Sequence, residues 1–249
     1  MSGATTRLYL ADTYRFEAEA TVVESGSEGM GRSWLVADRT VFYAKGGGQP
    51  GDRGTIRWRG GVLAVDETLS QGDRVVHGSA SHGPLPGRGE PVQLSIDREA
   101  RLLHARLHTA GELICAVMWE MGYTHASGWP VVGAIHYPER AGVDFQGTLL
   151  ESERAKLASQ LERRLNERIA ADDAVELLLA DGRSAAAALC GFTPDYLPER
   201  GEVRVVRVGA VGRPCAGTHV ARLGEIGELS IRKIKSRKGV TTVSYQLSP

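Results

Sequence analysis

The sequence predicts an α+β protein in which a β-rich segment is followed by a segment with two long helices. Alternating or short apolar runs, separated by turn residues, fill roughly the first 92 residues. Beyond them, the apolar residues recur at helical spacing in two long stretches, and further strand-like runs follow. We therefore expect a β barrel or sheet over residues 1–92 and an α+β domain, with a sheet and two long helices, over residues 93–249.

The elements expected in the first domain are short strands. We predict them at residues 16–23, 34–37, 40–43 and 92–96. Gly60 and Gly61 separate two apolar runs and predict a two-residue hairpin turn. Residues 79–90 are rich in Pro and Gly, which makes this stretch the best candidate for a linker.

The second domain begins with a change to helical periodicity. Asp97 is a plausible N-cap for a helix that runs to Gly122. Thr148 and Glu151 have the spacing of a capping box, and apolar residues at helical spacing continue from there to residue 169. The remaining elements are predicted as strands at 175–179 and 203–208, a short helix at 184–190, and a hairpin of 229–235 and 240–247.

The composition argues against several classes of protein. No run approaches the ~20 apolar residues that a membrane-spanning helix needs. Residues 1–9 lack the basic start and apolar stretch of a secretory signal. The three cysteines, Cys115, Cys190 and Cys215, cannot all pair, so we expect reduced thiols in a cytoplasmic protein.

The charges are balanced overall but unevenly distributed. The chain has 30 Lys and Arg against 30 Asp and Glu, yet residues 200–249 carry 10 basic and 3 acidic side chains. A basic end can provide a local surface for phosphate groups. Lys and Arg also protect the exposed edges of sheets. The charge pattern alone leaves both interpretations open.

Two pairs of residues have the spacing of metal ligands. His104 and His108 lie one helical turn apart, and Glu112 continues the same row by another turn. Cys215 and His219 are also four residues apart, in a segment that contains Gly. Zinc binds four ligands drawn from Cys, His and carboxylates, so the two pairs would form a site if the fold joined them. Taken singly, each residue is more simply explained as a solvated or core histidine or a buried thiol.

A glycine-rich stretch covers residues 42–54, FYAKGGGQPGDRG. It is not a P-loop, because no Gly-Lys-Ser/Thr follows, and no βαβ pattern surrounds it as a dinucleotide site requires. Glycines without Cβ atoms allow a ligand or another backbone to approach closely. A flexible hairpin tip would explain the run equally well.

Together, these motifs resemble the free-standing alanyl-tRNA editing proteins of the AlaX type and the editing domain of alanyl-tRNA synthetase. The resemblance covers nearly the whole chain. The residues that carry it are LYLADTY at 8–14, the glycine-rich string at 42–54, the stretch from Ile96 to Ala110, PCAGTH at 214–219, and the last segment, 227–247.

The resemblance implies a metal site with one departure from the family pattern. The helix motif of the family is usually His-[Thr/Ser]-Ala-x-His. Here the register that keeps Thr109 and Ala110 in place puts Glu112 where the second histidine normally stands. The implied zinc ligands are His108, Glu112, Cys215 and His219, and spacing alone would select His104 as the alternative ligand.

The resemblance also implies a β-barrel-like first domain and two sets of contacts with the substrate. Residues near the matched motifs are expected to bind the aminoacyl group: Gly46, Gly47, Gly48, Gln49, Thr109 and Thr218. The tRNA body is expected to lie across the basic carboxyl-terminal segment, with contacts from Arg232, Lys233, Lys235, Arg237 and Lys238.

The implied activity is the zinc-dependent hydrolysis, in trans, of seryl- or glycyl-tRNA for alanine. Two alternatives stay open. Because Glu112 replaces a zinc-binding histidine, the protein could be a degenerate relative that binds tRNA without hydrolysing it. It could also be a zinc hydrolase that edits another aminoacyl-tRNA.

Overall fold

The computed structural model describes residues 3–28, 32–81, 83–193 and 196–248. The chain divides into two compact units, Met1–Leu103 and His104–Pro249. The strands of the first unit are β1 (Thr6–Arg7), β2 (Glu17–Glu28), β3 (Arg32–Ala37), β4 (Arg39–Thr40), β5 (Gly54–Trp58), β6 (Gly61–Val65), β7 (Glu67–Gln71), β8 (Arg74–Ser79) and β9 (Pro91–Ile96). The division into domains of residues 1–92 and 93–249 stays a prediction.

The described part of the first unit is built around a seven-stranded antiparallel sheet with the order β6-β5-β9-β2-β3-β8-β7. Strand β2 is long enough to serve both halves of this sheet. Its residues Glu17–Thr21 pair with β9, and its residues Val22–Glu28 pair with β3. Apolar side chains from both halves, among them Val22, Leu35, Ile56 and Leu94, form one buried core together with Phe42.

The barrel expected for this unit is wrong, because the sheet is open. Its two edge strands are β6 and β7, and these do not pair with each other in the described part of the chain. Only Asp66 separates them in the sequence. A hairpin that returns the chain onto its neighbour needs a loop of about two residues or more, so β6 continues into β7 instead of pairing with it.

Three local expectations for this unit also need correction. The hairpin turn between β5 and β6 falls at Arg59-Gly60, one residue earlier than predicted, because Trp58 pairs with Gly61. Of the strand predicted at 40–43, only Thr40 lies in a strand, while Val41, Phe42 and Tyr43 are buried without joining a sheet. The Pro- and Gly-rich stretch 79–90 connects β8 with β9 of the same sheet.

Helix α1 (Arg98–Glu120) begins in the first unit and continues into the second. The backbone NH of Ala100 donates a hydrogen bond to Asp97 Oδ1 over 3.0 Å, which confirms Asp97 as the residue that caps this helix. In the second unit its buried residues include Leu107, Ile114 and Val117.

The second unit combines helices with two antiparallel sheets, where a single sheet was expected. The orders of these sheets are β10-β11-β16-β15 and β12-β13-β14. The strands are β10 (Val131–Tyr137), β11 (Arg140–Gln146), β12 (Val175–Asp181), β13 (Glu202–Val208), β14 (Val211–Pro214), β15 (Leu229–Arg237) and β16 (Val240–Leu247). The remaining helices are α2 (Glu151–Ala171) and α3 (Gly182–Cys190).

Helix α2 packs against strand β15. Its N-cap is Leu150 rather than the predicted Thr148, and the Glu153 side chain accepts a hydrogen bond from the Leu150 backbone NH over 2.6 Å. Its apolar stripe, Leu157, Leu161, Leu165 and Ile169, is buried as the periodicity predicted. Asn166 and Glu162 accept hydrogen bonds from the backbone NH groups of Leu229 and Ile231, and so cover the beginning of strand β15.

Candidate metal centre

Four side chains that can bind a metal ion converge in the second unit: His108, Glu112, Cys215 and His219. Helix α1 presents His108 and Glu112 on one face, one turn apart. Cys215 directly follows strand β14, and His219 lies in the irregular segment after it. His108, Glu112 and His219 are buried, and Cys215 is half-buried. His104, the alternative ligand, is not in this group among the described residues.

The distances between these groups are short. The Cys215 Sγ atom lies 3.4 Å from His108 Nε2 and 3.3 Å from His219 Nε2. The four ligand atoms all lie within 4.8 Å of one another. Two imidazoles, a thiol and a carboxylate are a donor set that zinc accepts, so the residues present fit that ion.

A glycine makes this approach possible. A Cβ atom at Gly217 would lie 2.1 Å from His108 Cε1 and 2.3 Å from His108 Nδ1. Any other residue at this position would therefore push the Cys215–His219 segment away from the helix. The Cys215 carbonyl also accepts a hydrogen bond from Arg204 Nη1 over 2.6 Å, which fixes the start of the segment.

Thr109 orients one of the two histidines. Its hydroxyl donates to the Ala105 carbonyl over 2.8 Å and accepts from the Val220 backbone NH over 3.1 Å. Its oxygen also lies 3.4 Å from His219 Nδ1. Since the only hydroxyl proton is used, Nδ1 must be the protonated nitrogen, and the lone pair of His219 Nε2 faces Cys215. Thr218, which precedes His219 in the sequence, is fully buried. The roles predicted for Thr109 and Thr218 in substrate binding stay predictions.

Burial sets the protonation of the cluster. It holds the pKa of His108 and of His219 well below the usual value, and nearby Arg204 acts in the same direction on both. Both imidazoles are therefore neutral and can donate a lone pair. Burial raises the pKa of the Cys215 thiol to about 12, and the Glu112 carboxylate adds to this effect. A cation at the cluster would offset the free-energy cost of ionising the buried Cys215 thiol, because the thiolate is the form that binds metals.

Glu112 has a basic partner that the sequence did not single out. Arg213 Nε lies 3.0 Å from Glu112 Oε2 as an ion pair. Burial raises the pKa of Glu112, and the Arg213 charge opposes that shift. The Glu112 Oε2 atom is buried, and it makes no hydrogen bond of good geometry within the described residues.

A third histidine, also missed at the sequence level, packs against the cluster. The ring of His136, on β10, stacks on the ring of His108 with 4.3 Å between centroids. Tyr245 donates its hydroxyl proton to the Leu107 carbonyl over 2.8 Å and lies 2.7 Å from His136 Nδ1. A Cβ atom at Gly111 would lie 2.3 Å from His136 Cε1, so a glycine inside the helix makes room for this ring. A glycine in the interior of the predicted helix was the one sequence feature that could have indicated a side chain packed closely there.

The glycine-rich motif lies in the first unit. Gly46 and Gln49 exchange backbone hydrogen bonds of 3.2 and 2.8 Å, and Gly47 and Gly48 have positive φ angles of 51° and 76°. Gln49 is fully buried. Downstream, Asp52 forms a buried ion pair with Arg101, which holds the motif in place. The predicted contacts of this motif with a substrate stay predictions.

The basic residues of the carboxyl-terminal segment line the edge strand β15 and its turn. Lys233, Lys235 and Arg237 alternate along the strand and are exposed. A register shift between Ile231 and Lys233 leaves Arg232 exposed as well. Exposed Lys238 occupies the turn with φ 52°. The five side chains therefore form one basic edge, which we call the β15 edge.

Comparison with known proteins places these features in a class. Residues 8–100 match the family described as tRNA synthetases class II (A), and residues 203–242 match the threonyl and alanyl tRNA synthetase second additional domain. Both segments of the chain are thus similar to parts of tRNA synthetases. In the described part of the chain, no helix combines the length and apolar character needed to cross a membrane.

The individual relatives are an alanyl-tRNA editing protein and alanine–tRNA ligases. The chain is 28% identical to the alanyl-tRNA editing protein AlaX-L of Pyrococcus horikoshii over 96% of its length, and it spans 57% of that protein. It is 31% identical to the alanine–tRNA ligase of Caldivirga maquilingensis over 98% of its length, and 34% identical to that of Methanopyrus kandleri over 88%. It spans 27% and 23% of these two ligases. The resemblance to the AlaX-type alanyl-tRNA editing proteins is confirmed.

Proposed function

We propose that this protein hydrolyses mischarged tRNA for alanine in trans and that it removes serine or glycine. The observation that carries the proposal is that Cys215 Sγ lies 3.4 Å from His108 Nε2 and 3.3 Å from His219 Nε2 in a chain similar to AlaX-L. We further propose that the cluster binds zinc and that the protein acts in the cytoplasm. Neutral imidazoles and a thiolate are the ligands that zinc prefers.

The reaction is the hydrolysis of an ester. Water adds to the carbonyl carbon, the bond to the ribose oxygen breaks, and a proton passes to that oxygen, which yields free tRNA and the amino acid. A bound zinc ion polarises carbonyl groups and lowers the pKa of water. The residues of the chain hold this centre: Thr109 orients His219, and the His136 ring supports His108.

Selection between amino acids follows from hydrogen bonding. A pocket sized for alanine excludes glycine and serine poorly, by ~10²-fold. A second site that hydrogen-bonds the serine hydroxyl reverses this selection, because alanine leaves its partner unpaired at a cost of about 1–3 kcal/mol. We nominate Thr218 for this role. The Thr109 hydroxyl is already engaged with Ala105, Val220 and His219, so we propose that Thr109 acts through His219. The substrate contacts of Gly46, Gly47, Gly48 and Gln49 stay predictions.

We propose that the β15 edge binds the tRNA backbone. Its five basic residues provide a sequence-independent surface for phosphates, and such binding weakens steeply with salt. Protection of a sheet edge is the competing explanation, since β15 is indeed an edge strand. The two explanations differ in whether neutral substitutions there weaken tRNA binding.

The test is the loss of ester from tRNA for alanine charged with serine, glycine or alanine. We expect rapid loss of serine and little loss of alanine, and the rate for glycine, which lacks the hydroxyl, decides whether glycine is removed as well. Cys215→Ala should abolish the activity together with most of the bound zinc. Seryl-tRNA for threonine serves as the comparison substrate. Equal rates on all four would contradict the specificity for tRNA for alanine.

The alternative of a degenerate binding protein rests on Glu112 at a position where a histidine is usual. It predicts tRNA binding without ester loss above the uncatalysed rate. Measuring tRNA binding and ester hydrolysis on the same preparation separates the two functions.

The proposed ligand set has its own test. Full zinc occupancy in Cys215→Ala would show that this set is wrong.

A further inference from the structure

Glu112 lies farther from His108 than Cys215 does. Two donors that share one tetrahedral zinc lie about 3.4–3.6 Å apart, since Zn–N and Zn–S bonds are about 2.0–2.1 and 2.3 Å. Cys215 Sγ meets this expectation, at 3.4 Å from His108 Nε2 and 3.3 Å from His219 Nε2. The Glu112 carboxylate does not, because its Oε1 atom lies 4.0 Å from His108 Nε2.

The partner of Glu112 explains this offset. The Nε atom of Arg213, on β14, lies 3.0 Å from Glu112 Oε2. Both side chains are largely buried, with 23% of Arg213 and 11% of Glu112 exposed. A buried carboxylate that loses such a partner carries a large penalty. Arg213 comes two residues before Cys215 in the sequence, so the segment that supplies the thiol also supplies the cation.

We propose that Glu112 remains paired with Arg213 and outside the coordination sphere when the cluster binds a metal, so that His108, Cys215 and His219 are the only protein ligands. Arg213 is then a positioning residue that acts through Glu112. The centre is of the open kind, with one position available to a ligand from outside the protein. This inference rests on the metal site of the proposed function and specifies how that site is built.

One oxygen of Glu112 is suited to such an outside ligand. The buried Oε2 atom lies 3.0 Å from Arg213 Nε, but it makes no hydrogen bond of good geometry within the described residues. A carboxylate oxygen in this state can accept a hydrogen bond from water or from the α-amino group of a substrate. The pair with Arg213 keeps this acceptor in a fixed place.

The test uses cobalt(II) in place of zinc, since its visible spectrum reports the ligands and their geometry without any substrate. Glu112→Gln should leave the spectrum of the cobalt protein unchanged and weaken cobalt binding by about tenfold, as expected for an outer residue. Cys215→Ala should lose the sulfur-to-cobalt charge-transfer band. Glu112→His, which places a ligand that can reach the metal, should shift the spectrum and tighten binding.

Arg213 provides the second arm of the test. In Arg213→Met the carboxylate is released, so we expect it to bind cobalt and shift the spectrum. The shift should vanish in Glu112→Gln/Arg213→Met, because no carboxylate remains. A general change of charge would shift the spectrum whether residue 112 is Glu or Gln. Release of the Glu112 carboxylate would shift it only when Glu112 is present, so the double-substitution cycle separates the two causes.

Two outcomes overturn the inference. A changed spectrum in Glu112→Gln would make Glu112 a ligand, and an unchanged spectrum in Arg213→Met would remove the role of Arg213. Absence of cobalt binding by the unsubstituted protein would overturn both the inference and the metal site. If cobalt binds through three protein ligands but no charged tRNA is hydrolysed, the coordination stands and the proposed catalytic function fails.

Discussion

At the scale of single residues, the absence of a side chain matters as much as its presence. Gly217 lets the segment with Cys215 and His219 lie against His108, and Gly111 leaves space for the His136 ring. In both cases the contact is with an imidazole at the cluster. A small residue at these positions is therefore a requirement of the site rather than of the local backbone, and neither glycine has a positive φ.

Gly217→Ala tests this requirement. The added Cβ would lie 2.1 Å from His108 Cε1, so the segment must move away from the helix. We expect a loss of about 1–3 kcal/mol of stability, as in other overpacked sites, and markedly weaker zinc retention. Elemental analysis and urea unfolding measure the two effects.

Gly87→Ala is the matched control, because nothing lies within 4 Å of a Cβ atom at that position. Its zinc content and unfolding midpoint should equal those of the unsubstituted protein. Zinc retention by Gly217→Ala at the level of this control would contradict the close approach of the Cys215–His219 segment to the helix.

His77 makes the stability of the protein depend on pH. Its ring is fully buried, its Nδ1 atom donates to the Leu35 carbonyl and its Nε2 atom accepts from the Thr40 hydroxyl. Burial lowers its pKa to about 4. Between the unfolded pKa near 6.5 and about 4, the unfolded chain binds more protons, so stability falls as the pH falls through this window.

The expected loss from this group is about 3 kcal/mol between pH 7 and pH 4, at about 1.36 kcal/mol for each unit of pKa. Urea unfolding at several pH values measures it. In His77→Gln the amide oxygen can still accept a hydrogen bond from Thr40 but does not titrate. The difference in unfolding free energy between the unsubstituted protein and His77→Gln should therefore shrink as the pH falls. A constant difference would show that His77 titrates normally.

At the scale of elements, strand β15 has two parts: helix α2 covers its beginning, and the rest carries exposed basic side chains. Its beginning is covered by Asn166 and Glu162 of α2, which accept hydrogen bonds from the Leu229 and Ile231 backbone. The rest is uncovered and carries the basic side chains, with the bulge at Arg232 adding one more to the exposed row. The helix thus limits the part of the strand that can meet a ligand.

Neutralising two residues of the β15 edge tests its role. We expect Lys233→Ala/Lys235→Ala to weaken tRNA binding and to reduce the slope of log affinity against log salt by about 2, because each lysine neutralises roughly one phosphate. Filter binding at several salt concentrations measures this. Arg163→Ala/Arg164→Ala removes two exposed charges from α2 and should leave the slope unchanged. An unchanged slope in Lys233→Ala/Lys235→Ala would favour simple edge protection at β15, and an equal reduction in both pairs would show a general effect of charge.

At the scale of the whole molecule, metal binding should contribute to the stability of the fold, because a ligand bound only by the folded state stabilises it. With free zinc at about 100 times its dissociation constant, the gain is about 2.7 kcal/mol, or roughly 5–10 °C in Tm. Removal of zinc by a chelator should lower the Tm by that amount. Cys215→Ala should show no response to the chelator, and an equal response would place the bound zinc elsewhere.

The periodic elements could be predicted from the sequence, because their signals are local. Strand β16 was predicted with the right bounds, and α1 and β13 to within a residue or two. The hairpin of β10 and β11 was missed, and with it His136. Its stacking on His108, like the pair of Arg213 with Glu112, joins residues distant in sequence, and no local pattern encodes such contacts.

Because α1 runs without interruption through residue 103, the last residue of the first unit, no loop offers a natural place to cut the chain there. A fragment that starts at His104 would lose the first six residues of the helix and the Asp97 side chain that caps it. An expression clone of the carboxyl-terminal half should therefore begin at or before Asp97, where a helix start is already encoded.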